Sequence, residues 1–105
     1  MDSNLLKVFI TVVEKKSITL GAKKLKVTQS NVTLRIKQLE RNLGFPVFHR
    51  TPKGVVLTTE GEVLLPLATE IVNKMEDVQI RMKNIKVQNS LRVASTYTNA
   101  SIRLI

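Results

Sequence analysis

The chain has 105 residues, with 17 Lys or Arg against 8 Asp or Glu, a single histidine and no cysteine. That length suits one modest domain with or without an extension, and the composition excludes disulfides, thiolate metal sites and a zinc site built on His49 alone. The excess charge is concentrated: from Lys15 to Lys53 ten basic residues meet one acid, a net charge equal to the +9 of the whole chain.

At the amino terminus, Leu5, Phe9, Val12 and Val13 recur at helical spacing with Leu6 and Val8 beside them, and Ser3 is a candidate cap. A first helix is expected over about residues 4–15. Ile18, Ala22 and Leu25 then form one apolar edge after a candidate cap at Thr19, which predicts a second helix over about residues 19–26. Gly21 and Ala22 remove bulk from its face and permit close approach of another helix. Only Val27 and Thr28 intervene before a third pattern, residues 28–43, capped by Thr28. Here Val32, Ile36, Leu39 and Leu43 follow at steps of four, three and four, and Gly44 supplies the stop. So short a turn makes the two helices cross steeply, which is helix-turn-helix geometry.

After Gly44 the pattern changes. Val47 and Phe48 open a β-like run, Pro52 and Gly54 take the second and fourth positions of a tight turn, and Val55, Val56 and Leu57 return. This predicts a small two-stranded wing, with Phe45, Phe48 and Leu57 in the core. From Thr59 to about Lys86 one long helix is expected, opened by a capping box of Thr59 and Glu62 and bent in its first turns by Pro66. Leu64, Ala68, Ile71, Met75, Val78, Met82 and Ile85 form a heptad seam along roughly 40 Å at 1.5 Å per residue. A partner helix from a second chain is the natural mate, and packing back on its own domain is the other reading. Beyond it, LRVAS has a buried-strand pattern and NASIRLI the look of a helix cut short, so a second domain of a longer protein is expected from near Leu91. The fold class expected is mainly α: a winged helix-turn-helix over residues 1–58, a linker and dimerisation helix over 59–88, and the start of a further domain over 89–105.

The apolar runs VFITVV and VLLPLA are too short to span a membrane, and Asp2 stands where a secretory leader carries a basic residue. A soluble, cytoplasmic protein is expected. Catalysis has little to rest on, since there is no glycine-lysine phosphate loop and no carboxylate cluster in the basic module. No enzyme activity, metal or cofactor is therefore expected of this segment.

Nucleic-acid binding has more. With residues of the third helix set about 100° apart, Ser30, Leu34, Lys37 and Arg41 lie opposite the apolar side. Thr33 and Gln38 flank them, and Gln29 lies at the tip. The amino-terminal part of such a helix enters the major groove. Gln29, Ser30, Thr33 and Leu34 are thus the candidate base readers: Gln pairs with adenine, Ser and Thr bond several base edges, and an apolar side chain touches the thymine methyl. For Leu34 the other reading is helix packing. Thr28, Arg35, Lys37, Arg50 and Lys53 are the candidate phosphate contacts. For Arg35 an ordinary exposed charge is an equal reading, and for Lys15, Lys16, Lys23, Lys24 and Lys26 it is the favoured one. The expected partner is double-stranded DNA, bound in sequence by a homodimer. The alternative is a nonspecific or architectural DNA-binding protein that uses charge alone.

The motifs L-x-V-T-Q-S-x-V-T, I-x-x-L-E-x-x-L-G, V-F-x-R and V-x-L-T-x-x-G, in an unbroken run from Phe9 to Pro66, resemble the amino-terminal part of a LysR-type transcriptional regulator. The resemblance implies a bacterial regulator whose linker helix pairs two subunits, with tetramers common, on interrupted palindromes bounded by a T and an A. It implies a larger carboxy-terminal α/β domain that binds a small-molecule effector, to whose first strand LRVAS is similar, and leaves RNA polymerase as a further partner. The family's base-reading positions fall on Gln29, Ser30, Thr33 and Leu34, and its wing arginine on Arg50. Ser30 departs from a common proline, Thr33 from a common serine, Leu34 from a polar or basic residue, and Gly21 from one alanine of a small pair. These departures touch the DNA sequence read, not the fold.

Overall fold

A computed structural model describes residues 1–91. In chain order these form α1 (Ser3–Lys15), α2 (Ile18–Leu25), α3 (Gln29–Leu43), β1 (Phe48–Thr51), β2 (Gly54–Leu57) and α4 (Thr59–Leu91). A further domain is expected over residues 89–105 with a strand from Leu91, but α4 continues through Leu91, and the rest of that span lies outside the described residues.

The caps sit where a side-chain oxygen meets an orphan N–H, and three differ from expectation. Asp2 accepts from the Leu5 N–H at 3.0 Å, in place of Ser3. Ser17 accepts from the Leu20 N–H at 3.1 Å, so α2 starts before Thr19. Thr28 caps α3 as its position suggests, accepting from the Asn31 N–H at 3.0 Å. The cap of α4 is Thr58, not Thr59, because the wing holds that residue in place. Its N–H donates to the Val47 carbonyl at 3.0 Å, and its buried hydroxyl donates to the Pro46 carbonyl at 2.7 Å while accepting from the Gly61 N–H at 3.0 Å. With the cap there, Gly61 takes the third helical position and the Thr59–Glu62 capping box does not form.

The core of the winged domain is one cluster. α1 supplies Leu5, Leu6, Val8, Phe9 and Val12, α2 adds Ala22, and α3 adds Val32, Ile36 and Leu39. Val47 and Val55 close it from the wing, and Phe48 stacks obliquely on Phe9 with ring centroids 5.3 Å apart. Phe45 is not a core residue: it is 55% exposed, and Val47, at 0%, fills the place instead. The chain reverses at Gly44, with φ at 86°, which turns Phe45 outward. The close approach expected at Gly21 is present, since a Cβ there would stand 3.1 Å from a Val12 methyl.

β1 and β2 pair antiparallel, with Phe48 opposite Leu57 and Arg50 opposite Val55. Two contacts seat this wing on the helices. The Val55 N–H donates to the Lys16 carbonyl at 3.3 Å, and Gly54, with φ at 136°, lies so close that a Cβ would fall 2.2 Å from that same oxygen. At the other end, Glu40 of α3 accepts from the Val47 N–H at 2.8 Å.

α4 runs on through Pro66, whose ring removes only the N–H that would reach the Glu62 carbonyl. Its seam divides. Leu64 and Ala68, assigned to a partner helix by the heptad pattern, are buried in the winged domain's own core together with Val72. Ile71, Met75, Val78, Met82 and Ile85 stay exposed, as do Val63 and Leu67 in the earlier turns. Residues Met1–Lys74 make one compact unit, and a second begins at Met75. No helix among the described residues is long and apolar enough to cross a membrane.

Candidate nucleic-acid interface

α3 owes its place to both of its sides. Val32, Ile36 and Leu39 face inward, while Gln29, Ser30, Leu34, Lys37 and Arg41 are all exposed and Thr33 is half-buried. The helix therefore presents an uncharged polar start followed by cations one and two turns later. Its amino terminus also carries the positive end of the helix dipole, so the face is favourable to anions before any side chain is counted. Thr28, at that end, uses its oxygen to cap the helix and retains its hydroxyl proton as a donor.

Arg35 is drawn into the fold. Its Nε donates to Asn31 Oδ1 at 2.7 Å, and a terminal nitrogen donates to Asn4 Oδ1, which ties α3 to the start of α1. Two of its five N–H groups are thus engaged, and the guanidinium is held in one orientation. Arg50 and Lys53 are exposed on the wing, a separate element. Arg50 lies on the sheet face that bears Phe48, and Lys53 sits at the turn, its N–H bonded to Thr51 Oγ1 at 3.2 Å. At the far end of α3, Lys37, Glu40, Arg41, Gly44, Phe45 and Pro46 line an open groove of about 450 Å³.

The electrostatics are one-sided. Among the described residues the single ion pair, Arg81 with Asp77 at 3.0 Å, lies on α4. None of the ten cations from Lys15 to Lys53 is therefore neutralised by a carboxylate, and the one acid in that stretch, Glu40, is engaged by a backbone N–H. Exposed and partly buried hydrogen bonds tether the helix, and unpaired charge faces out. No cluster of His, Asp or Glu that could hold a metal occurs among the described residues.

Sequence reasoning found the exposed face of α3 but missed three of its supports. Asn31 was legible in principle, since it stands four residues before Arg35 on the same helix. Asn4 and the Glu40–Val47 contact carry no local signal, because their partners are brought in by the fold.

The family model for bacterial regulatory helix-turn-helix proteins of the lysR family matches residues 3–62. The chain belongs to the LysR family. Similar curated LysR relatives include the HTH-type transcriptional regulator YofA of Bacillus velezensis, 41% identical over 105 residues, which cover 99% of this chain and 36% of YofA. BsdA of Bacillus subtilis is 39% identical over 107 residues, covering 99% and 37% respectively. The chain thus spans a little over a third of the length of these relatives, which are named as transcriptional regulators and not as enzymes. Among solved structures, the CbnR DNA-binding domain in complex with DNA superposes with a TM-score of 0.77 at 30% identity, covering 82% of this chain and 99% of that one. The BenM DNA-binding domain with catB site 1 DNA gives 0.78 at 29% identity, covering 82% and 97%. One motif of the LysR resemblance acquires physical content here: V-x-L-T-x-x-G contains the buried Val55, the cap Thr58 and Gly61, where a Cβ would fall 2.3 Å from the Val47 carbonyl.

Proposed function

We propose that this chain is the DNA-binding and dimerising part of a bacterial transcription regulator that recognises a specific double-stranded sequence, with α3 in the major groove. The observation that carries this is the outer face of α3, where exposed Gln29, Ser30 and Leu34 with half-buried Thr33 precede unpaired cations. That order matches the division of labour in helix-turn-helix proteins, with base edges read near the helix start and phosphates gripped farther along and by the wing. Lys37, Arg50 and Lys53 are the phosphate contacts, joined by the Thr28 hydroxyl. Arg35 contributes with the N–H groups that Asn4 and Asn31 leave free. The CbnR and BenM domains, each solved in complex with DNA, support DNA as the partner by similarity.

The apolar stripe of Ile71, Met75, Val78, Met82 and Ile85 pairs two copies, and residues 59–88 serve as the linker helix. A dimer implies two half-sites and so an interrupted palindrome. Similarity to the LysR family, and not the stripe, is what supports a tetramer, a small-molecule effector bound in a carboxy-terminal domain and contact with RNA polymerase for the complete regulator. A cytoplasmic location follows from that role.

Selection of preferred duplexes from a random pool tests the specificity. Gln29→Ala and Thr33→Ala should each weaken binding to the selected site by ~1 to 3 kcal/mol with little change on random DNA. Equal affinity for selected and random duplexes at matched salt would instead support the architectural alternative. For the stripe, Ile71→Asp and Val78→Asp should halve the mass in sedimentation. An unchanged mass would remove α4 as the pairing element.

A further inference from the structure

Leu34 is the most exposed of the large apolar side chains among the described residues, at 66%. It belongs neither to the core cluster nor to the partly buried residues packed on it, so the helix-packing reading of this residue has no contact to support it. Ser30 one turn before it and Lys37 one turn after it are exposed and polar. An isolated leucine on a polar, cationic face is too small a patch to seat a protein partner, and the unpaired charge around it selects a polyanion. The floor of the major groove offers such a side chain an apolar group of its own, the C5-methyl of thymine.

We propose that Leu34 reads a thymine methyl group, making thymine at one position of each half-site a requirement of this chain's target. The inference rests on the major-groove reading of α3 above. The backbone beneath Leu34 is well placed for so small a contact, since its neighbour Arg35 is bonded to both Asn31 and Asn4 and fixes this turn of α3 against α1. Leu34 stands four residues from Ser30, about 6 Å along the axis.

The test replaces each thymine of the selected duplex, one at a time, with deoxyuridine, which removes the methyl and leaves every hydrogen-bonding group. For the natural chain, one position in each half-site should weaken binding by about fourfold, the effect of one buried methyl-sized group. Leu34→Ala, an exposed change to a strong helix former, should bind the thymine duplex about fourfold more weakly. It should also be indifferent to deoxyuridine at that position. A selected sequence with no thymine in the half-site, or a deoxyuridine effect that persists unchanged in Leu34→Ala, overturns this proposal and leaves specific binding standing. Failure of the pool to yield any preferred sequence overturns the specific reading and this proposal together.

Discussion

α3 and α4 carry the same apolar signature, with side chains recurring at steps of three and four, yet the two helices use it differently. In α3, Val32, Ile36 and Leu39 are buried in the winged domain and Leu43 packs half-buried against the same core, while the opposite side is polar apart from Leu34. In α4 only Leu64, Ala68 and Val72 are buried, while Ile71, Met75, Val78, Met82 and Ile85 are open. Periodicity identifies which face of a helix is apolar; it does not identify the mate. α3 is short and surrounded by α1, α2 and the wing, so its stripe has neighbours along its full length. α4, at 33 residues, continues past the compact unit that ends at Lys74 and has apolar side chains to spare.

The contrast between covered and open faces predicts a graded series in denaturant titrations at one protein concentration. Leu39→Ala, at a side chain with no exposure, should destabilise most, by ~2 to 5 kcal/mol, because it removes core area and leaves a cavity. Gly61→Ala should follow at ~1 to 3 kcal/mol, since its Cβ would stand 2.3 Å from the Val47 carbonyl and a backbone neighbour cannot step aside. Thr58→Ala loses the α4 cap and the bond to the Pro46 carbonyl, and should cost ~1 to 2 kcal/mol. Leu34→Ala should change stability by less than ~0.5 kcal/mol, while DNA binding should weaken as proposed above. A large loss of stability there would mean that Leu34 belongs to a packed face after all. Smallest of all, Lys53→Ala should leave the unfolding midpoint in place and reduce the slope of log affinity against log salt by about 1 on any duplex, as expected for one lost phosphate contact.

Much of this was legible in residue order because the signals are local. The turn at Val27 and Thr28, the Pro52–Gly54 turn, the stop at Gly44 and the outward face of α3 each depend on residues a few positions apart. Capping was legible only to within a residue or two. Asp2 and Ser3 are adjacent candidates, as are Thr58 and Thr59, and nothing local separates the last two. The deciding contacts are to Pro46 and Val47, twelve and eleven residues before Thr58.

What the sequence by itself determined is the order of elements, the concentration of positive charge between Lys15 and Lys53, and the family to which its motifs belong. The first two follow from spacing and composition and the third from resemblance of the motifs, and none needs knowledge of the fold. Only the tertiary structure decided that Val47 and not Phe45 enters the core, that Glu40 serves the wing, that Arg35 binds Asn4, and that the α4 seam divides between an inner and an outer part. Each of these is a choice between chemically similar residues, and it is made by which distant part of the chain arrives to bury one of them or to satisfy its hydrogen bonds.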